Sequence, residues 1–344
     1  MFFASDNSGP AHPQVMAALM VANEGHALGY GAEPGMADVT RTLRDIFEAP
    51  EASVHLVATG TAANVLILGT LTAPWETIFC TRMSHINEDE CNGPEFYTGG
   101  AKLTLVGSEN AKMTPDALRA AILGEENRGV HGPQRGPVSI TQVTERGTVH
   151  ALEEIAALTA VARDYGLKTH LDGARFANAL VALGCTPAEM TWKAGIDAVS
   201  FGGTKNGCLG VEACIFFDPA HGREFELRRK RGAHLFSKHR MLSAQMQGYL
   251  ADDLWLDLAR TANARASRLA EGLRARGIAM PWGCHANMIY FDAPRATHRR
   301  LLGGGATYYL MGDIEGAEDT ILPGRLVCDW SVTDAAIDRF LALI

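Results

Sequence analysis

The sequence predicts an α/β protein: a large domain built on a mostly parallel sheet covered by helices, followed by a smaller C-terminal α/β domain. Two observations carry this. Short apolar strands alternate with helical stretches from residue 53 to residue 205, the pattern of a parallel sheet with crossover helices. Near residue 250 the alternation gives way to one long helical stretch and then short strands, which divides the chain into domains of residues 1–250, including an N-terminal arm, and 251–344. A length of 344 residues with 47% apolar content is enough to bury both cores.

The elements follow in order. SVHLVATG (53–60) reads as a strand ending at a glycine, and TAANVLILGTL (61–71) as a helix whose start, near Thr61, offers free N–H groups to an anion. ETIFCTR (76–82) and AKLTLVGS (101–108) read as strands, and TPDALRAAI (114–122) as a helix capped by Thr114 with Pro115 in its first turn. GPVSITQVTE (136–145) is a strand, and ALEEIAALTAVARDYG (151–166) an amphipathic helix stopped by Gly166. LKTHLD (167–172) and IDAVSFGG (196–203) are strands that end at Asp172 and just before Lys205. Beyond them come a helix over 251–277, the strands MIYFDA (288–293) and RLVCDW (325–330), and a final helix from Asp334. The glycine-rich stretch 301–324 is aperiodic and receives no assignment for most of its length.

Composition narrows the function. A formal net charge of -8 disfavours nucleic acid and anionic membranes as partners, since both need a positive field. The one basic run, RRKRGAHLFSKHR (228–240), reads as a solvated face or as a small anion site. Seven cysteines without a CxxC pair, and no Cys/His cluster at zinc spacing, speak against disulfides and structural metal. The first residues lack a basic segment with a long apolar core, and no apolar run reaches membrane length, so a cytoplasmic enzyme is expected.

Ligands of open α/β sheets bind beyond the carboxyl ends of the strands, where Asp172 and Lys205 both fall. Singly, each candidate has an ordinary structural explanation: Asp172 a helix cap, Lys205 a turn lysine, His85 a loop histidine. Together, an anion-binding helix entry, a histidine that can stack on a flat ring, a strand-end aspartate and a lysine about thirty residues later match what a pyridoxal phosphate enzyme needs. The aspartate would keep the pyridine nitrogen protonated and the lysine would take the cofactor aldehyde.

SDNSGPAHP (5–13), GYGAEP (29–34), TGTAAN (59–64), HINEDE (85–90), THLDGARFANAL (169–180) and FGGTKNG (201–207) together resemble the low-specificity L-threonine aldolases. These belong to the aspartate aminotransferase fold type, fold type I, within the wider group of β-eliminating lyases. The resemblance runs over essentially the whole chain. It implies Lys205 as the Schiff-base lysine, Asp172 at the pyridine nitrogen, His85 on the ring, and Gly60, Thr61 and Thr204 at the phosphate. Arg175, Arg325 and Ser5 would hold the substrate carboxylate, arginine because its planar fork pairs with it bidentately. His131 would lie near the substrate hydroxyl, and the base is His85, His131 or a water they position. Tyr30 and Glu33 would lie near the substrate, and Lys230 or Arg231 near a cofactor phosphate, with residues reaching across subunits of a homotetramer or homodimer.

The implied reaction is retro-aldol cleavage of an L-β-hydroxy-α-amino acid to glycine and an aldehyde; acetaldehyde from threonine or allo-threonine and benzaldehyde from phenylserine both fit. A β-eliminating lyase of the tryptophanase kind, or an aminotransferase, would share the cofactor residues. A non-catalytic relative would be expected to have lost Lys205 or Asp172, and both are present.

Overall fold

In a computed structural model describing residues 1–344, the N-terminal segment leads into α1 (Pro13–Ala22) and α2 (Pro34–Ile46). There follow β1 (Ser53–Val57), α3 (Gly60–Leu71), β2 (Glu76–Thr81), the short α4 (His85–Glu88) and α5 (Gly93–Thr98), and β3 (Lys102–Val106). A small hairpin, β4 (Ser108–Glu109) and β5 (Lys112–Met113), precedes α6 (Pro115–Gly124), β6 (Gln134–Thr141), α7 (Leu152–Asp164) and β7 (Thr169–Gly173). Next come α8 (Phe176–Leu183), α9 (Pro187–Met190), β8 (Ala198–Gly202), β9 (Glu212–Phe216), α10 (Gly222–Arg231), α11 (Arg240–Leu250) and α12 (Leu254–Ala275). The chain ends with β10 (Met288–Pro294), α13 (Arg295–Gly303), β11 (Tyr309–Leu310), β12 (Ile321–Val327) and α14 (Asp334–Leu341).

The central sheet has seven strands in the order β1-β9-β8-β7-β6-β2-β3. Only β9 runs against the others, pairing antiparallel with both β1 and β8. The inner strands β7, β8 and β9 are buried on both faces, which is why they read as apolar runs rather than alternating ones. One consequence sets the site. The carboxyl ends of β1, β2, β6, β7 and β8 and the amino end of the reversed β9 all open on the same edge of the sheet.

The largest core packs β-sheet residues such as Leu56, Phe79 and Phe201 against helices on both sides, and takes in Trp255 and Leu258 from the first half of α12. A second core gathers Phe291, Leu326, Phe340 and the later α12 residues Leu269 and Leu273 around the sheet β10-β12-β11. Thus α12 is shared between both. Phe3 also packs into the second core, so the N-terminal segment is tied to the C-terminal part of the chain.

Several boundaries differ from expectation for local reasons. Helix α3 starts at Gly60, one residue before Thr61, and is capped by Thr59, whose hydroxyl accepts from Ala62 N–H at 3.1 Å. The strand read through Glu145 stops at Thr141, because Thr144 to Thr148 close a turn through Thr148 O and the paired hydroxyls of those threonines, 2.7 Å apart. The stretch left unassigned at 301–324 carries the end of α13, the two-residue edge strand β11 and the start of β12, the centre strand that pairs with both β10 and β11.

Candidate active site

Strand ends and the turns after them build a cleft of about 340 Å³ lined by Asn7, Gly60, Thr61, Asn64, His85, Glu145, Asp172, Arg175, Thr204, Lys205 and Glu212, among others. β1 delivers the entry of α3. With Thr59 capping Ala62, the N–H groups of Gly60 and Thr61 donate to nothing in the chain and face the cleft at the positive end of a 12-residue helix. A Cβ built on Gly60 would meet nothing within 4 Å, so the space in front of this entry is open to a ligand.

Lys205 follows β8 across two glycines and sits in a single 3-10 turn. The glycines are required by close approach: a Cβ on Gly202 would lie 2.5 Å from Ala174 O, and one on Gly203 2.7 Å from Val211 O. Burial and the neighbouring Arg175 charge lower the Lys205 pKa, although Asp6, Asp172 and Glu212 pull the other way. A depressed ammonium is one that loses its proton readily and becomes a nucleophile.

Asp172 stands at the end of β7, buried, with Oδ2 accepting from Asn64 Nδ2 at 2.9 Å and Oδ1 from Ala174 N–H at 3.1 Å. It therefore caps no helix. The other hydrogen of Asn64 Nδ2 goes to Glu90 Oε1 at 2.9 Å, and the same oxygen accepts from His85 Nδ1 at 2.8 Å. That bond to Glu90, partly offset by burial, raises the His85 pKa. Behind Asn64 the donors line up in one sense: Ser200 Oγ donates to Asn64 Oδ1 (2.7 Å), His170 Nε2 to Ser200 Oγ (2.9 Å), and Ser139 Oγ to His170 Nδ1 (3.0 Å). This chain requires a neutral His170, and burial takes its pKa down to about 4. Its imidazole is expected to keep the Nε2–H form from pH 8 to 5, with the ring ¹⁵N shifts as the check. Because the unfolded histidine protonates near 6.5, His170 withdraws stability as pH falls from there toward its folded value.

Arg175 enters the cleft with its fork already engaged. Nε and Nη2 donate to the two oxygens of buried Asp6 at 2.7 and 2.9 Å, and Asn287 Nδ2 supports Asp6 at 3.1 Å. Burial raises the Asp6 pKa, but the Arg175 and Lys205 charges outweigh it and hold the carboxyl below its ordinary value. Asp6→Asn leaves a buried guanidinium without its charge partner and is expected to cost about 3–5 kcal/mol, read by urea unfolding. The stabilisation is complete above the ordinary aspartate value and is lost as pH falls below it, so wild type and variant should converge in acid.

Of the sequence candidates, the structure brings together Lys205, Asp172, His85, Gly60, Thr61, Thr204 and Arg175. Ser5 stands next to the cleft, its hydroxyl accepting from Asn7 N–H at 3.1 Å. Arg325 lies on β12 with Nη2 on Ala4 O at 3.3 Å and its guanidinium 4.4 Å over Tyr309, outside the cleft lining. His131 is corrected outright. It precedes the first residue of β6, whereas the site lies past the last; eight residues of strand put them roughly 25 Å apart. Glu33 is corrected too: its carboxylate is buried away from this cleft against Ser243 Oγ and His239 Nδ1, the latter at 2.8 Å. Lys230 and Tyr30 also lie outside it, the Lys230 ammonium 4.8 Å over the exposed Tyr30 ring.

Sequence reasoning missed Asp6, Asn7, Asn64, Glu90, Glu145 and Glu212. Asn64 carried a signal, a lone amide inside the buried run AANVLILG of α3. Glu145 carried another, an acid just past a parallel strand, as Asp172 is.

The β-eliminating lyase family model matches residues 3–294. The chain is 37% identical over 342 residues to a low specificity L-threonine aldolase from a Pseudomonas species, covering 99% of this chain and 96% of the relative. Among solved structures it is similar to a threonine aldolase from Leishmania major, with a TM-score of 0.92, 26% identity and coverage of 99% and 98% of the two chains. It shares its fold, at 20% identity and a TM-score of 0.70, with SPT solved with PLP, over 100% of this chain and 86% of that one.

Proposed function

The chain belongs to the β-eliminating lyase family, among the low-specificity L-threonine aldolases, and from that premise we infer that it cleaves L-β-hydroxy-α-amino acids to glycine and an aldehyde. The observation that carries this is the meeting of Lys205, Asp172 and the free N–H groups of Gly60 and Thr61 around one cleft of small-molecule size. The family is pyridoxal 5'-phosphate-dependent, and the residues fit that cofactor: an open helix entry for a phosphate, a buried carboxylate for a ring nitrogen, a lysine with a lowered pKa for the aldehyde. When bound, the cofactor supplies an electron sink conjugated to the substrate Cα.

The chain's own groups do the rest. Gly60, Thr61 and Thr204 hold the phosphate; Asp172, fixed by Asn64 and Ala174, holds the ring nitrogen; His85, fixed by Glu90, covers the ring. The remaining N–H groups of Arg175, beyond those on Asp6, orient the substrate carboxylate, with Ser5 and Asn7 beside it. Arg325, whose Nε is buried without a partner, is the second carboxylate contact. Orientation matters because these contacts would decide which bond at Cα the cofactor's electron sink could act on, and would select Cα–Cβ.

The assembly is a homotetramer or homodimer in which the segments around Tyr30 and Lys230 serve a neighbouring cleft. These segments are tied together by Tyr30 N–H on Ser237 O and carry exposed Leu28, Tyr30 and Phe236 beside exposed Met20 and Val21 of α1. Such an apolar face is what a partner covers. The chain divides near residue 250 into cofactor and small domains, a reading supported by its two separate cores. No helix is long and apolar enough to cross a membrane, which accords with a cytoplasmic enzyme.

The test is product analysis of the holoenzyme with L-threonine, L-allo-threonine and L-phenylserine. Glycine and the matching aldehyde are expected in equal amounts, with D-threonine slower than L-threonine; pyruvate and ammonia would point to β-elimination instead.

A further inference from the structure

We propose that Glu145 is the catalytic base that takes the substrate's β-hydroxyl proton, through its buried and unpartnered Oε2. This rests on the retro-aldol reading: His131 is at the far end of β6, and His85, which donates Nδ1–H to Glu90 at 2.8 Å, is assigned to cover the cofactor ring.

The geometry around Glu145 is that of a held acid or base. It lines the cleft four residues past the end of β6, on the turn closed by Thr144 and Thr148. Its backbone carbonyl accepts from Tyr290 Oη at 2.8 Å, and the next residue, Arg146, is fixed with its guanidinium 4.4 Å over Trp282 and 5.2 Å over Tyr290. One carboxyl oxygen, Oε1, accepts the backbone N–H of His85 at 2.9 Å, which ties Glu145 to the residue expected to cover the cofactor ring. The other, Oε2, is buried and has no hydrogen-bond partner in the chain. An orphaned carboxyl oxygen in a buried polar cleft is costly unless a ligand completes it.

Of the other acids, Glu90 also has a buried Oε2 without a partner, but it lies outside the cleft lining and holds His85 and Asn64 through Oε1, while Glu212 holds Gly203 N–H at 2.9 Å on the Lys205 side. The groups that face Glu145 are His85 from α4, Asp172 from β7 and Tyr290 from β10, with Arg146 turned onto Trp282. Burial, reinforced by the Asp172 charge and opposed by backbone hydrogen bonds, brings the Glu145 pKa up to about 7, where a carboxyl exchanges protons freely at neutral pH.

In the proposed step the β-hydroxyl O–H bond breaks and its proton passes to Oε2. The O–H electron pair forms the second C–O bond of the aldehyde as the Cα–Cβ bond breaks, and the Cα–Cβ pair stays on Cα. One proton then returns to Cα, so substrate equals glycine plus aldehyde with no co-reactant. Oε2 accepts only in cleavage; removal of a Cα proton from glycine does not involve it.

That division gives the test. Glu145→Gln keeps an acceptor for His85 N–H and removes the base. In the holoenzyme, aldehyde release from L-threonine is expected to fall at least ~100-fold while deuterium exchange at glycine Cα in D₂O stays within about threefold. In the protein without cofactor, infrared difference spectra should show protonated carboxyl C=O intensity titrating near pH 7 from both Glu145 and Glu212 in wild type, with the Glu145 share missing from the variant. Should the glutamine impair folding, Glu145→Asp carries the same test, with cleavage reduced and exchange kept. Aldehyde release within about threefold of wild type, or parallel loss of cleavage and exchange, would overturn the assignment and leave Glu145 a support for His85. Wild-type protein that exchanges glycine protons but releases no aldehyde would instead bring down the retro-aldol reading and this base with it.

Discussion

Lys205→Ala is expected to lower glycine release from L-threonine by at least roughly 10³-fold, about 4 kcal/mol on the barrier, with little change in unfolding temperature. The size follows from what the position offers and nothing else nearby replaces. Lys205 is the only lysine lining the cleft, and the backbone that presents it is built on two glycines whose replacement would collide with Ala174 O and Val211 O. Burial and Arg175 lower its pKa, so the neutral amine is reachable near neutral pH, while Asp6, Asp172 and Glu212 temper that shift. The fold should tolerate the change because removing this buried cation also removes a desolvation cost. Lys205→Arg should be equally inactive, since a guanidinium keeps its proton and cannot act as the nucleophile. Turnover, cofactor absorption and a melting curve on the same samples check the result. An alanine variant within about tenfold of wild type would mean that another amine serves the aldehyde, and the strand-end reading of Lys205 would fall.

The position of Lys205 was legible because strand and lysine are contiguous; the groups around it were not. A parallel sheet announces its carboxyl edge through the order of strands and helices, so residues just past β1, β2, β7 and β8 could be assembled without coordinates. Asp6 on Arg175 is a contact across 169 residues, and Asn64 on Asp172 one across 108. Pairings of that span depend on how whole elements pack, and no local pattern encodes them. His131 shows the opposite failure: only the family resemblance placed it near the substrate, and the strand that follows it carries the chain away from it toward the site. Glu33 fails for a third reason. Its motif was read as a whole, but burial against His239 and Ser243 makes the carboxylate part of a packed interior in this chain. Glu145 is the last residue of the strand read over 136–145, as Asp172 is of 167–172, and so was within reach of the same strand-end rule.

Asp172→Asn is expected to cost roughly 10²- to 10³-fold in turnover, about 2.7–4 kcal/mol, and to lower the His85 pKa as well. The substitution does more than neutralise a charge. Asn64 presents an N–H to Asp172 Oδ2, while its carbonyl is already occupied by Ser200 Oγ at 2.7 Å. An amide nitrogen in place of Oδ2 sets donor against donor. Turning Asn64 over would break its bonds to Glu90 and Ser200 together, and with them the support of His85 and the line of donors from Ser139. Turning the new amide over instead would place its nitrogen on Ala174 N–H. Either way one buried donor is unpaired, at about 1–3 kcal/mol of stability. The sign at His85 is also fixed: the Asp172 charge is one of the terms that raise its pKa, so neutralising it moves the titration down, measurable by NMR. The exchange Asn64→Asp with Asp172→Asn separates the two roles. It restores a donor-acceptor pair between the positions but sets a carboxylate against Glu90 Oε1, where Asn64 Nδ2 had donated, so stability should recover only in part; the carboxylate then sits on α3 rather than at the end of β7, and turnover should remain low. Recovery of turnover in the double variant would show that the charge anywhere in this network suffices, and that its placement at residue 172 is not what the reaction requires.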